Sequence, residues 1–328
     1  MTSSATSPFS EPDDSLLLAR LEEPSVRTPT RIAIVGDPHL STQAHGTDRV
    51  FHRTEQRLRS VIEDVNGRDV DLVVFPGDLT KDGEPWNYER LDVLLEELEH
   101  PFVATPGNHD LQKSGDDHRC PSPAAFAERY AEGRYPFQQS VGDLDLFVLN
   151  TAAGSNGPYE TTHRGRICHE QLEWLDARLA DATVPVVVSH HNPIPLVRDP
   201  LCLTEPWRTF TLVGRDRLRI VLDDHDVPLV LSGHHHLPSL IDDDGLRQLV
   251  TPAMATYPQA YCVLEADATG TSIWLHSHAG PQGRAEARTL AREANPFRRT
   301  LLEFTEKTLE DAPVLYEGAR SDLVPIDE

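Results

Sequence analysis

The chain has 328 residues and sets 53 acidic side chains against 30 basic ones, a formal charge of −23. That balance leaves no basic stripe to displace counterions from a nucleic acid, and no run approaches the ~20 apolar residues of a membrane span, so neither is expected as a partner. Only Lys81, Lys113 and Lys307 are lysines. An acidic, lysine-poor surface of this kind suits concentrated salt, as in a halophilic archaeon. The first thirty residues lack the basic start and apolar core of a secretory signal, and Cys120, Cys168, Cys202 and Cys262 form no CxxC pair. Reduced thiols and a cytoplasmic setting follow as expectations.

In chain order, residues 1–30 read as a flexible leader, being polar and rich in Ser, Thr and Pro. An apolar run, Ile32-Ala33-Ile34-Val35, predicts a strand, and Val50, Leu58, Val61, Ile62 and Val65 predict a helix within 48–66 that Asn66-Gly67 stops. A strand at 71–76, a helix near 86–99 and a strand at 101–105 complete a β-α-β-α-β unit, hence a parallel sheet with right-handed crossovers. A short helix around 124–131, two strands within 137–150 and an amphipathic helix carrying Leu172, Leu175 and Leu179 come next. Strands at 185–189 and 228–232 flank an insertion, 193–215, that matches no pattern. Short strands at 237–241, 246–250, 260–265 and 271–276 predict an antiparallel edge to a second sheet. Residues 281–328 read as a charged, mostly helical extension to a catalytic domain spanning 31–280.

Five polar clusters each follow a strand-like run: Asp37-Pro38-His39, Gly77-Asp78, Gly107-Asn108-His109-Asp110, Ser189-His190-His191 and Gly233-His234-His235-His236. In open α/β sheets, ligands bind outside the carboxyl ends of strands, so the five loops should converge on one rim. Together they offer carboxylates, an amide and imidazoles but no thiolate, the donor set for a pair of hard or borderline cations such as Mn²⁺, Fe or Zn²⁺. A pair of this kind can clamp the attacking and leaving oxygens of a phosphoryl displacement.

These blocks resemble the calcineurin-like metallophosphoesterase superfamily, whose pattern runs D-x-H, G-D, G-N-H-[DE], H, G-H-x-H. The run Gly77-Asp78-Leu79-Thr80-Lys81-Asp82-Gly83, with Tyr88 and then Gly165-Arg166-Ile167 before Gln171-Leu172-Glu173-Trp174-Leu175, looks closest to its class III cyclic-nucleotide phosphodiesterase branch. The resemblance spans about residues 31–276. It implies a four-layer α/β/β/α sandwich of two mixed sheets flanked by helices. It also implies that Asp37, His39 and His236 hold one metal and Asn108, His190 and His234 the other, with Asp78 bridging. His109 would stand beside the scissile phosphate with Asp110 holding its ring, and a hydroxide between the metals would be the nucleophile. Of the neighbouring histidines, His235 should point away, and His190 is better placed than His191 because the strand ends at Ser189. Gly36 and Asn150-Thr151 depart from the family pattern without removing a ligand.

The expected reaction is metal-dependent hydrolysis of a small phosphoester, a phosphodiester such as a 3′,5′-cyclic nucleotide before a monoester or nucleotide. A catalytically silent scaffold is the rival from another class, and it predicts a missing ligand or a missing His109. The remaining histidines, including His45, His52 and His163, read as surface or core groups, and Trp207 and Tyr257 as core or lid. The sequence leaves the oligomeric state open, a homodimer included.

Overall fold

The structure, a computed structural model, describes residues 9, 14–113, 115–154, 157–158, 163–198 and 200–318. Fifteen strands and seven helices follow in chain order: β1 (Ser15–Leu21), β2 (Thr30–Ile34), α1 (Thr54–Asn66), β3 (Leu72–Phe75), α2 (Pro85–Leu95), β4 (Phe102–Ala104), α3 (Pro123–Tyr130), β5 (Phe137–Val141), β6 (Leu144–Val148), β7 (Ala153–Gly154), β8 (Gly157–Pro158), α4 (His169–Leu179), β9 (Pro185–Val188), α5 (Arg215–Asp224), β10 (Leu229–Ser232), β11 (Ser239–Asp243), β12 (Leu246–Val250), β13 (Ala260–Asp267), β14 (Gly270–Ser277), α6 (Pro281–Glu293), α7 (Pro296–Asp311) and β15 (Leu315–Tyr316).

Alternation along the strands makes the layers. Ile32, Ile34, Leu72 and Val74 face inward and meet Leu146, Val148, Val186, Val188, Leu229 and Leu231 of the facing sheet. Their neighbours Ala33, Val35, Val73 and Phe75 face outward, onto Leu58, Val61, Ile62 and Val65 of α1 and Leu91, Leu94 and Leu95 of α2. On the far side Phe147, Val187 and Val230 receive Leu172, Leu175 and Leu179 of α4 and Leu218 and Leu222 of α5. Helices, sheet, sheet, helices: the four-layer α/β/β/α sandwich is present. One sheet runs β15-β1-β14-β13-β2-β3-β4, the other β11-β12-β10-β9-β6-β5. The β2-α1-β3-α2-β4 unit is parallel, as the spacing predicts.

Two expectations need correction. The first is the leader: Ser15–Leu21 is a strand, antiparallel to β14 and parallel to β15, with Leu18, Ala19 and Leu21 fully buried. Residues 1–8 and 10–13 of that leader lie outside the described residues. The second concerns the four late strands, which do not share a sheet. β12 pairs in parallel with β10 and antiparallel with β11, whereas β13 pairs antiparallel with β2. Hairpin pairing is local, but the sheet a hairpin joins is set by its outer partner: β10, close by in sequence, for β12, and β2, near the other end of the domain, for β13. The expected helices of the C-terminal extension are α6 and α7, and the chain then returns as β15 to the sheet edge. Residues 319–328 lie outside the described residues. No described helix is long and apolar enough to cross a membrane.

Candidate dinuclear metal centre

β2, β3 and β4 run parallel in one sheet, and β9 and β10 run parallel in the other. The loops at their carboxyl ends carry the five clusters and meet on one rim. Asp37, His39, Asp78 and His236 bring ligand atoms within 4.8 Å of one another, and so do His190, His191 and His234. Asp78 joins the two groups: its Oδ2 lies 3.5 Å from His39 Nε2 and 3.4 Å from His190 Nε2. Asn108 Oδ1 is 3.2 Å from His190 Nε2, on the same side.

Local backbone explains how the loops come so close. Gly107 packs so tightly on Asp78 that a Cβ there would land on Asp78 Oδ1, and a Cβ on Gly77 (φ 100°) would strike the His190 ring. Backbone amides then orient the carboxylates. His234 N donates to Asp37 Oδ1 at 3.0 Å, and His109 N donates to Asp78 Oδ1 at 2.8 Å. The His190 ring is set by Pro76 O, 2.8 Å from its Nδ1.

Burial dominates the electrostatics. Asp37 is pushed up to about 8 by burial and by Asp78. Burial would raise Asp78 too, but His190, His109 and His39 hold it well below the usual carboxylate range. Burial keeps His39, His234 and His236 well below the usual imidazole range, hence neutral and able to donate lone pairs. His39 Nε2 and His236 Nε2 face each other at 3.0 Å, and the buried Nε2 atoms of His191 and His234 have no hydrogen-bond partner. Lone pairs aimed at common points, carboxylates close by and no thiolate fit a pair of cations.

His109 belongs to neither ligand group. Its ring stands 4.9 Å from that of His39, and its Nδ1 sits 2.7 Å from Asp82 Oδ1 and 2.8 Å from Lys81 O. The expectation that Asp110 holds this ring is corrected. The Asp110 carboxylate instead accepts from the backbone N of Leu79, Thr80 and Gly107, so it ties the Asp78 loop to the Asn108 loop. Asp82 takes the ring, and Lys81 Nζ (2.6 Å) and Lys113 Nζ (3.0 Å) hold Asp82. Two of the chain's three lysines therefore serve one carboxylate.

Among the neighbouring histidines, His235 Nδ1 lies 2.5 Å from Asn192 Oδ1 and points away from the ligand groups. His190 reaches Asp78. His191 is nonetheless part of the second group, with its Nδ1 held by Thr151 Oγ1 at 2.8 Å. His52 is paired with Glu286 of α6 at 2.8 Å. The insertion 193–215, opaque in the sequence, brings Phe210 to 5.4 Å from the His234 ring and 5.5 Å from the His163 ring, and His163 in turn lies 6.2 Å from His109. Trp207 packs on Phe297 and Phe304 of α7.

Comparison with known proteins bears on these loops. Over 232 residues the chain is 31% identical to a probable cyclic nucleotide phosphodiesterase of Synechococcus, covering 68% of this chain and 80% of that one. It is 25% identical over 278 residues to a glycerophosphodiester phosphodiesterase of Enterobacter lignolyticus, covering 81% and 93%. The fold is shared with a dimetal phosphatase from Danio rerio, with a TM-score of 0.61, 16% identity and coverage of 76% and 96%. Other bacterial cyclic-nucleotide phosphodiesterases are also related to it. The ligand groups and this kinship support a metal-dependent phosphoester hydrolase. Residues 30–238, from β2 through the last histidine cluster, match the calcineurin-like phosphoesterases, and the chain belongs to that family.

Proposed function

We propose that the protein is a dinuclear-metal-dependent phosphodiesterase and that 3′,5′-cyclic nucleotides are its substrate class. The observation that carries this reading is the position of Asp78, within 3.5 Å of both His39 and His190 and so shared between the two ligand groups. Asp37, His39 and His236 would hold one cation, and Asn108, His190 and His234 the other. Mn²⁺, Fe and Zn²⁺ all accept this donor set. When bound, such a pair polarises the phosphoryl oxygens and lowers the pKa of water at the site.

The chain's own residues do the rest. Asp82 and Lys81 O hold His109 at Nδ1, which leaves Nε2 to meet the leaving oxygen and hold or pass its proton. Asp82 also stabilises the ring whenever it is charged. Phe210 beside His234 and His163 beside His109 would limit the entry of water once substrate is bound. The kinship with cyclic-nucleotide phosphodiesterases supports the cyclic diester, and the acidic surface argues against a nucleic-acid polymer.

The test compares bis-p-nitrophenyl phosphate, p-nitrophenyl phosphate and 3′,5′-cyclic AMP in added Mn²⁺, for wild type and Asp78→Asn. Turnover of the diester and of the cyclic nucleotide is expected, with loss of at least about 100-fold in Asp78→Asn. Release from the monoester alone would make the protein a phosphatase instead.

A further inference from the structure

Two guanidinium groups beside the centre have no part in the reading above. Arg49 follows the first cluster on the loop after β2, and Arg298 sits in the first turn of α7. Arg298 lines a small cleft together with His236, Thr256 and Tyr257. Its Nε lies 3.1 Å from Asp48 Oδ2, and its side chain is 14% exposed. The Arg49 Nε is buried without a hydrogen-bond partner. Among the described residues no carboxylate lies within ion-pairing distance of Arg49.

Asp48, the residue before Arg49, lines the same cleft as Arg298 and His236. The two guanidinium groups oppose each other: burial first, then Arg49, brings Arg298 down to about 10. Two partly buried like charges, only one of which has a close carboxylate, are costly unless an anion joins them.

α7 is firmly placed to present Arg298. Phe297 stacks on Phe210 at 5.1 Å and meets Trp207 edge-on at 5.2 Å, and Glu286 of the adjoining α6 pairs with His52 and Arg53. This helix lies beyond residues 30–238, the span that matches the family.

We propose that Arg49 and Arg298 form an anion subsite at the rim of the metal centre that binds the non-bridging oxygens of the substrate's phosphoryl group. A guanidinium fork matches such oxygens in geometry and charge, and the Asp48 carboxylate competes with the anion for Arg298. The inference rests on the phosphoesterase reading for the identity of the anion.

The experiment measures inorganic phosphate binding to the Mn²⁺-loaded full chain by calorimetry, and kcat and KM on bis-p-nitrophenyl phosphate. The variants are Arg49→Gln, Arg298→Gln, Asp48→Asn and, as control, Arg299→Gln, whose guanidinium donates to Ala294 O on the exposed side of α7. In either Gln variant of Arg49 and Arg298, the phosphate Kd and the KM are expected to rise about tenfold or more while kcat falls by less than about threefold, and Arg299→Gln should match wild type. Values within about twofold of wild type in both folded variants overturn the subsite and leave the phosphoesterase reading intact. Weakened phosphate binding with no phosphoester turned over keeps the subsite and removes the phosphoesterase reading. Should the Gln variants not fold, Asp48→Asn decides: freeing Arg298 should tighten phosphate about threefold, and unchanged or weaker binding overturns the proposal.

Discussion

Asp37, His39, Asp78, His234 and His236 hold left-handed backbone conformations, with φ between 44° and 74°, and make up five of the nine non-glycine residues in that region among those described. Each costs of order 1–3 kcal/mol, so their concentration on one rim points to a site held together by the surrounding fold. At this scale Asp82 is the residue to test, because the His109 ring leans on it while Lys81 and Lys113 fix its position. Burial would raise the Asp82 carboxyl, but His109 and the two lysines hold it well below the usual range, so it is ionised whenever the protein is folded near neutrality. Asp82→Asn should lower kcat by about 10–100-fold while metal content, measured by elemental analysis, stays at the wild-type value. A parallel loss of metal would make Asp82 a support for the ligand loops instead. The convergence of the candidate ligand loops was legible because each loop follows a strand, where chain direction alone fixes its place. The partner of His109 was not, since it depends on how the loop 79–84 curls back under the ring. Adjacency made Asp110 the obvious choice, yet backbone amides had already taken its carboxylate.

β1 shows what composition can hide among the elements. Its run Ser15-Leu16-Leu17-Leu18-Ala19-Arg20-Leu21 lies inside a polar, proline-rich stretch, and averaging over that stretch erased a strand-length apolar segment. The strand adds Leu18 and Leu21 to the core between the sheets, and it joins β14 to the edge strand β15. Leu18→Ala is therefore expected to lower unfolding stability by about 2–5 kcal/mol, read as a shift in urea midpoint at constant slope. A substitution in a true leader would stay within about 0.5 kcal/mol. The β-α-β-α-β unit was legible because helix and strand periods differ and the crossovers are short. The assignment of the late hairpins to sheets was not, because β13 finds β2 and β12 finds β10 only in the folded chain.

For the whole molecule the charge of −23 is the dominant electrostatic fact, and local pairing does not remove it, because 53 acidic groups share 30 basic ones. Several ion pairs link neighbours in sequence, among them Arg219 with Asp223, Lys307 with Asp311 and Arg68 with Asp64. Exposed pairs of this kind contribute little individually. The long-range repulsion is different, since every acidic group feels the sum. Salt contracts its range from about 10 Å at 0.1 M to about 3 Å at 1 M. If the acidic, lysine-poor surface is an adaptation to concentrated salt, the melting temperature should climb steadily from 0.1 to 2 M KCl, by at least about 5 °C, and activity should follow. An ordinary acidic protein would gain its few degrees within the first few tenths molar, where most screening occurs, and then level off. Because the candidate ligands are buried and the Arg298 side chain is only 14% exposed, the phosphate affinity of the Mn²⁺-loaded protein should change less over that range than the melting temperature does. A loss of phosphate binding in step with added KCl would show instead that the rim is open to solvent and that the field of the whole surface reaches the site.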